Sequence, residues 1–457
     1  MSGPAESTTS PTHDPGGQAG RRAHDREIVR LAVPAFLALV AEPLFLLADA
    51  AIVGHLGTPQ LAGLGIAAVV LQTVVGLCVF LAYGTTASVA RALGAGDRRR
   101  ALALGVDGLW LGVLIGAVAT LAGIALTGPL VTAFGADPAV ADHATTYLRI
   151  AFLGVTPLLL MLAATGVLRG LQDTRTPLFV AVAGNLLNIV LNVVLVYPVG
   201  LGIAGSALGS VLAQVASAAA LVVVVVRGAR REYASLRPDR AGILAAAHAA
   251  VALVIRTLTL RAALIVTTYA VVLGSDGSPA DLAAHQLAFT LWSFLAFALD
   301  AIAIAAQALT GRYLGAGDVA AVRAVTRRMM GWGLASGVVT GASLAALSPW
   351  LPALFTTDEA VRSLVVPVLL VAAAGQPVCG LVFVLDGVLI GAGDGTYLAW
   401  AGLLVLAVFA PVVLAVAATV GGLVWVWVVF SAVFMGARAV VLLARERGDR
   451  WLVTGLR

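Results

Sequence analysis

The chain has 457 residues, of which 60% are hydrophobic and 11% charged, with a mean hydropathy of +1.01 and a net charge of +5. Soluble proteins carry about 25% charged residues, so this chain lacks the charge to coat a water-facing surface, and a soluble enzyme is excluded. All 28 basic residues are arginine, which removes the lysine of a phosphate-gripping loop and any Schiff-base lysine.

Residues 1–26 are rich in Ser, Thr, Pro and Gly and read as a disordered cytoplasmic tail. Arg21 and Arg22 read as the basic flank of a first helix, because His24, Asp25, Arg26 and Glu27 follow before any apolar run. From Ile28 onward apolar runs alternate with short polar breaks. The runs predict spans near 28–54, 61–90, 101–127, 143–167, 177–197, 202–226, 251–273, 282–312, 324–347, 363–390, 396–418 and 421–444. A transmembrane helix needs about 20 apolar residues. The expected fold is therefore an all-α integral membrane protein with twelve transmembrane helices.

Arginines set the orientation. Arg98, Arg99 and Arg100, Arg169 and Arg175, the group from Arg227 to Arg240, Arg323, Arg327 and Arg328, and Arg445, Arg447 and Arg450 all fall on one side of a twelve-span arrangement. The opposite loops hold a single arginine, Arg362. Both termini are expected in the cytoplasm of a multi-pass protein of the plasma (inner) membrane.

An internal repeat fixes the architecture. Leu93-Gly-Ala-Gly-Asp97 recurs as Leu314-Gly-Ala-Gly-Asp318, an offset of 221, which Arg91 and Arg312, Phe134 and Phe355, and Asp173 and Asp394 also keep. Six helices per repeat give both copies the same orientation, so the lobes are parallel repeats about an axis along the membrane normal. The expected division is a first lobe at 27–226, an arginine-rich linker at 227–250, a second lobe at 251–445 and a cytoplasmic tail at 446–457.

Ionisable residues at mid-depth cost about 2.5–3.5 kcal/mol on insertion scales, so each needs a reason. Asp107 lies seven residues past Arg100, near enough to the surface to reach headgroups or an arginine. Asp386 sits just before a cytoplasmic turn, whereas Asp300 lies mid-span. Glu42 and Asp49, seven residues apart, share a face of the first helix. Pro34 and Pro43 interrupt that helix and allow a bend. A carboxylate pair there suits a proton or sodium site. Asn185, Asn188 and Asn192 form a stripe on the fifth span that reads either as interhelical glue or as a cavity wall shared with Asp49. Cys78 and Cys379 lie in apolar runs and the six histidines are scattered, so neither a metal site nor a catalytic pair emerges. Short arginine clusters between apolar runs argue against nucleic acid.

The stretch Ala48-Asp49-Ala-Ala-Ile-Val-Gly-His-Leu-Gly57, the paired Leu-Gly-Ala-Gly-Asp motifs, Gly166-Val-Leu-Arg-Gly-Leu-Gln-Asp173 and Asn185-Leu-Leu-Asn-Ile-Val-Leu-Asn192 resemble the multidrug and toxic compound extrusion (MATE) family. Phe297-Ala-Leu-Asp-Ala-Ile-Ala-Ile-Ala-Ala-Gln307 resembles its DinF-like branch. The resemblance implies export of small organic, cationic compounds against a proton or sodium gradient, by a monomer that needs no other cofactor and is not an enzyme. It places the coupling carboxylate on Asp49, the bending proline on Pro34, and the fifth-helix polar pair on Asn188 and Asn192. The family's second carboxylate is replaced by Asn192, which cannot titrate. Tyr147, Asn185 and Ser210 would line the substrate lobe, as would Asp300, which in the second lobe is the next candidate for coupling after Asp49. The alternative is a lipid-linked glycan or lipid flippase of similar helical plan, which calls for cationic residues in its cavity.

Overall fold

The computed structural model describes residues 18–275 and 277–455. Residues 1–17 of the expected tail, and 456–457 at the other end, lie outside the described residues. Among the described residues the ordered structure is all helical, and twelve helices are long and apolar enough to cross a membrane. In chain order these spans are His24–Gly54, Thr58–Gly94, Arg98–Thr132, Pro138–Gly170, Arg175–Val196 and Gly202–Arg231 in the first half. The second half has Arg240–Gly274, Pro279–Gly315, Val319–Leu347, Glu359–Gly391, Gly395–Thr419 and Leu423–Arg447. Even the 22-residue fifth span reaches about 33 Å at 1.5 Å per residue, enough for a hydrocarbon core about 30 Å thick. Large apolar side chains such as Leu47, Leu121 and Phe179 are exposed on the outside of the bundle. That is the surface expected of helices whose solvent is lipid.

Two expected boundaries move. The first helix begins at Gln18, so residues 18–26 are helical rather than tail. Ion pairs anchor this extension. Asp25 accepts from Arg328 at 2.6 and 2.7 Å and from Trp332 at 2.8 Å, and Glu27 accepts from Arg312 at 3.2 Å and Tyr313 at 3.0 Å. The arginine-rich linker is also shorter than expected, because the sixth span runs to Arg231 and the seventh starts at Arg240. Only 232–239 lies outside the helices. Asp239 caps the seventh span through the backbone N–H groups of Ala241 and Gly242, which pulls the helix start eleven residues earlier than 251.

The repeated Gly-Ala-Gly-Asp sequences are helix-to-helix turns. Gly96 and Gly317 adopt φ of 80° and 75°, the left-handed conformation that closes a helix C-terminus. Asp97 and Asp318 then cap the next helices, each accepting from a backbone N–H at 2.8 Å. Both copies show the same bonds, Gly96 N–H to Leu93 C=O and Gly317 N–H to Leu314 C=O.

At this arginine-rich end the halves meet through a reciprocal contact. Gly94 packs on the backbone carbonyl of Arg312, and Gly315, 221 residues later, packs on the backbone carbonyl of Arg91. Exchanging the halves exchanges the two contacts, which is the signature of a pseudo-twofold axis through the joint. Arg91 also donates to the carbonyls of Ala392 at 2.7 Å and Gly455 at 3.5 Å. The C-terminal segment packs under the joint, with Trp451 buried and Gly455 N–H bonded to Leu314 C=O at 3.0 Å. The expected tail at 446–457 is, over its described part, anchored.

Candidate functional site

Four helices of the first half converge on Asp49. The first span supplies the carboxylate, the fourth Tyr147, the fifth Asn188 and Asn192, and the sixth Ser206 and Ser210. The two asparagines and the two serines are each four residues apart, so each pair occupies one helix face. Ser206 Oγ donates to Asp49 Oδ1 at 2.7 Å, Asn192 Nδ2 donates to the same oxygen at 2.8 Å, and Tyr147 Oη donates to Oδ2 at 3.3 Å. The chain continues from Asn192 Nδ2 to Asn188 Oδ1 at 3.0 Å and from Asn188 Nδ2 to Ser210 Oγ at 2.9 Å. All six side chains are buried; Asp49 is 4% exposed and Asn192 0%.

The chemistry of this cluster follows from what it lacks. Every partner of Asp49 is a neutral donor, and none of the ion pairs among the described residues includes it. Asn192 Oδ1 is buried with no partner among the described residues. A carboxylate with no fixed counter-charge, next to an unsatisfied carbonyl, is set up to take a proton or a small cation.

The other expected site residues are distributed differently. Asn185 donates to the backbone carbonyl of Ala41 at 2.9 Å, tying the fifth span to the first, and stays out of the Asp49 cluster. The asparagine stripe thus divides into one tie and two site residues. Pro34 and Pro43 lie inside one continuous helix. Glu42 is exposed although Leu31, Ala35, Asp49 and Val53 on the same helix face are buried. Ala35 packs on Ala301 and Ile304 of the eighth span. Two turns further along, Glu42 is exposed, and no hydrogen bond among the described residues joins it to Asp49. Asp107 has no arginine partner among the described residues; it is buried and accepts from Asp239 N–H at 3.1 Å, pinning the loop between the halves.

The second half carries a different arrangement. Asp386 Oδ2 accepts from Arg438 Nη2 at 2.7 Å and from Arg256, and all three side chains are at most 14% exposed. Asp300 interacts electrostatically with Arg169 and Arg256. Interior charge is therefore of both signs in this half. Arg438 lies deep in the last span, where a π-helical segment, Phe430–Met435, precedes it.

A family model described as MatE matches residues 34–194 and again residues 252–416. The chain belongs to the MatE family. It is 32% identical over 437 residues to Protein DETOXIFICATION 44, chloroplastic, of Arabidopsis thaliana, covering 93% of this chain and 82% of that protein. To DNA damage-inducible protein F of Escherichia coli (strain K12) it is 30% identical over 305 residues, 64% of each chain. The bent form of the Vibrio cholerae MATE transporter VcmN superposes with a TM-score of 0.86 at 21% identity, over 95% of this chain and all of that one. A MOP superfamily transporter from Pyrococcus furiosus Vc1 (DSM3638) superposes with a TM-score of 0.83 at 21% identity, over 92% and 95%. These structures share the fold. As a MatE protein the chain is a multi-pass membrane transporter, not an enzyme.

Two features of this MatE chain gave little signal in the sequence. Ser206 is one small residue among many in the sixth span, and only its bond to Asp49 singles it out. Arg169 stands at a helix end, where arginines ordinarily report topology, and Arg438 shares its span with the terminal Arg445 and Arg447, which read the same way.

Proposed function

We propose that the protein exports small organic compounds by antiport against protons or sodium, with Asp49 as the coupling carboxylate. The observation that carries this reading is the contrast between the two buried acids. Asp386 is held by two guanidinium groups, which fix it as an anion, whereas Asp49 is held by neutral donors alone. Only the second kind can change charge without breaking an ion pair.

Protonating Asp49 turns one of its oxygens from acceptor to donor. The hydrogen bonds from Ser206, Asn192 and Tyr147 cannot all survive that change, and the rearrangement passes along Asn192 and Asn188 to Ser210. Four spans are tied to this chain, so occupancy of one carboxylate alters how they pack. Alternating access is then rocking of the halves about the arginine-rich joint, in a plasma membrane with both termini inside. The reading calls for an ion gradient and no resident cofactor, and a single chain suffices. Exposed Glu42 supports the cationic cargo expected from the sequence. The interior arginines bear on the flippase alternative, but Arg256 and Arg438 are already engaged by Asp386, and the family match favours efflux.

Reconstitution in liposomes tests the proposal. A fluorescent organic compound should move against its gradient when a pH step or a sodium step is imposed, and the effective step names the ion. Movement that neither step accelerates overturns the antiport reading.

A further inference from the structure

The loop between the halves folds back along the third span. It leaves the sixth span at Glu232, which pairs with Arg98 at 3.0 Å. Further on, the Leu236 carbonyl accepts from Trp110 Nε1 at 3.1 Å, and the Asp239 N–H donates to Asp107 at 3.1 Å. A Cβ at Gly242 would collide with the Asp107 carboxylate, so the seventh span starts tight against the third.

This path sets a depth. Arg98 and Trp110 are 12 residues apart, about 18 Å of helix. The third span has 35 residues, about 52 Å, against a hydrocarbon core about 30 Å thick. Its first turns therefore stand outside the hydrocarbon, and the loop carries Arg237 and Arg240 from that tip back to the membrane boundary. No residue of the third span from Ala101 to Leu109 is exposed. Trp110 is the first, and Leu114, Val118 and Leu121 follow it at helical spacing. On the seventh span Leu244 and Val251, also on one face, are exposed. A tryptophan at the head of an apolar stripe marks the headgroup level.

Between 230 and 240 four arginines stand against two acids, Glu232 and Asp239. Glu232 is taken by Arg98, and Asp239 caps the seventh span. Arg237 and Arg240 are exposed, and neither forms an ion pair among the described residues.

We propose that Arg237 and Arg240, beside Trp110 and above the two apolar stripes, bind one anionic phospholipid at the seam between the halves. The guanidinium groups meet the phosphate with charge-assisted hydrogen bonds. The acyl chains lie along Leu114 and Val118 of the first half and Leu244 and Val251 of the second. Arginines left at the tip would attract an anionic surface diffusely, whereas these two sit where a headgroup and its chains are met together. A lipid held there touches both halves at the end where they join.

The test is native mass spectrometry of the whole protein in mild detergent, titrated with dioleoyl phosphatidylglycerol or with dioleoyl phosphatidylcholine. One phosphatidylglycerol should saturate first, at least tenfold tighter than phosphatidylcholine. Arg237→Gln combined with Arg240→Gln should weaken it about thirtyfold, at about fivefold per arginine. Arg237→Lys combined with Arg240→Lys keeps both charges and should retain most of the affinity, which separates lost binding from lost folding. Equal affinity for the two lipids overturns the proposal. So does an equal loss from Arg99→Gln combined with Arg100→Gln, which removes two charges from the tip alone. Displacement of the lipid by inorganic phosphate at constant ionic strength would assign the arginines to a soluble anion and overturn the lipid site. Binding needs no gradient, so failure here and failure of the antiport reading are separate results.

Discussion

Asn192 donates from its side-chain amide to Asp49 at 2.8 Å, joining the first and fifth spans inside the first half. The bond makes the replacement of a second carboxylate by an amide structurally intelligible. An aspartate at 192 would put two carboxylates in contact, which must then share a proton. The amide leaves Asp49 the only titrating group in the cluster apart from Tyr147.

Asp49→Asn should abolish gradient-driven transport while the protein still expresses and inserts. The amide keeps the size of the carboxylate but fixes the site in a neutral state, and removing a buried charge relieves desolvation. Flux in liposomes should fall to the rate without a gradient, with the size-exclusion profile unchanged. Wild-type flux would remove Asp49 from the coupling step.

Ser206→Ala and Asn192→Ala should each slow coupled flux, with Asn192→Ala the more damaging. Ser206 loses one bond to the carboxylate, whereas Asn192 loses two bonds and breaks the chain to Asn188. Hydrogen bonds to charged groups are worth about 1.5–3 kcal/mol, so effects of tenfold or more are expected. The check is initial rate against size of the imposed ion step, and the reverse ranking would contradict the geometry.

Glu42→Gln should leave the pH profile of transport unchanged and raise the KM of a cationic fluorescent probe. The carboxylate is exposed and makes no bond to the Asp49 cluster, so it should act on cargo rather than on coupling. A displaced pH midpoint would return it to the coupling pair expected from its seven-residue spacing.

Gly315→Ala should open the arginine-rich end. A methyl group there would lie 2.8 Å from the carbonyl carbon of Arg91, too close for any relaxed contact. Overpacking of this kind costs about 1–3 kcal/mol, while alanine itself favours the helix by about 0.5–1 kcal/mol. Spin labels at Arg99 and Val319 should therefore report longer separations, with a modest loss of thermal stability. An unchanged distance distribution would mean the joint is not a gate.

Cysteines placed at Arg98 and at Gly317 should share one accessibility, because both lie at the repeated turn in parallel repeats. In intact cells neither should react with an impermeant maleimide, and both should react after permeabilisation. Labelling of one alone from outside would break the parallel arrangement.

The twelve spans were legible because each is a long apolar run, and the halves because a turn motif needs glycine at a fixed place. The Asp49 cluster was partly legible: an acid in an apolar helix and asparagines at helical spacing both stand out. Ser206 did not, since serine is common at helix contacts in membranes. Glu42 misled because a shared helix face does not imply a shared environment: Asp49 is buried and Glu42 exposed. The linker misled because its arginines read as loop, although Asp239 and Asp107 fold the chain tightly enough to begin a helix at Arg240. The arginine cluster escaped because charges near helix ends were read as topology. Stepping forward 221 residues from Asp49, Tyr147, Asn188, Asn192 and Ser206 gives Ala270, Val368, Phe409, Val413 and Trp427, all buried apolar residues. The repeat preserved the backbone and exchanged the interior.

The paired glycine joint has a consequence for symmetry. Its contact is isologous: the surface that Gly94 presents to Arg312 is the surface that Gly315 presents to Arg91. Nothing in it requires the partners to differ. Two identical six-helix chains inserted the same way up would make both contacts and close the same end. The joint thus has the geometry of a dimer interface carried within one polypeptide. The interiors it joins need not match: one holds an acid among amides and hydroxyls, the other arginines around a captive carboxylate.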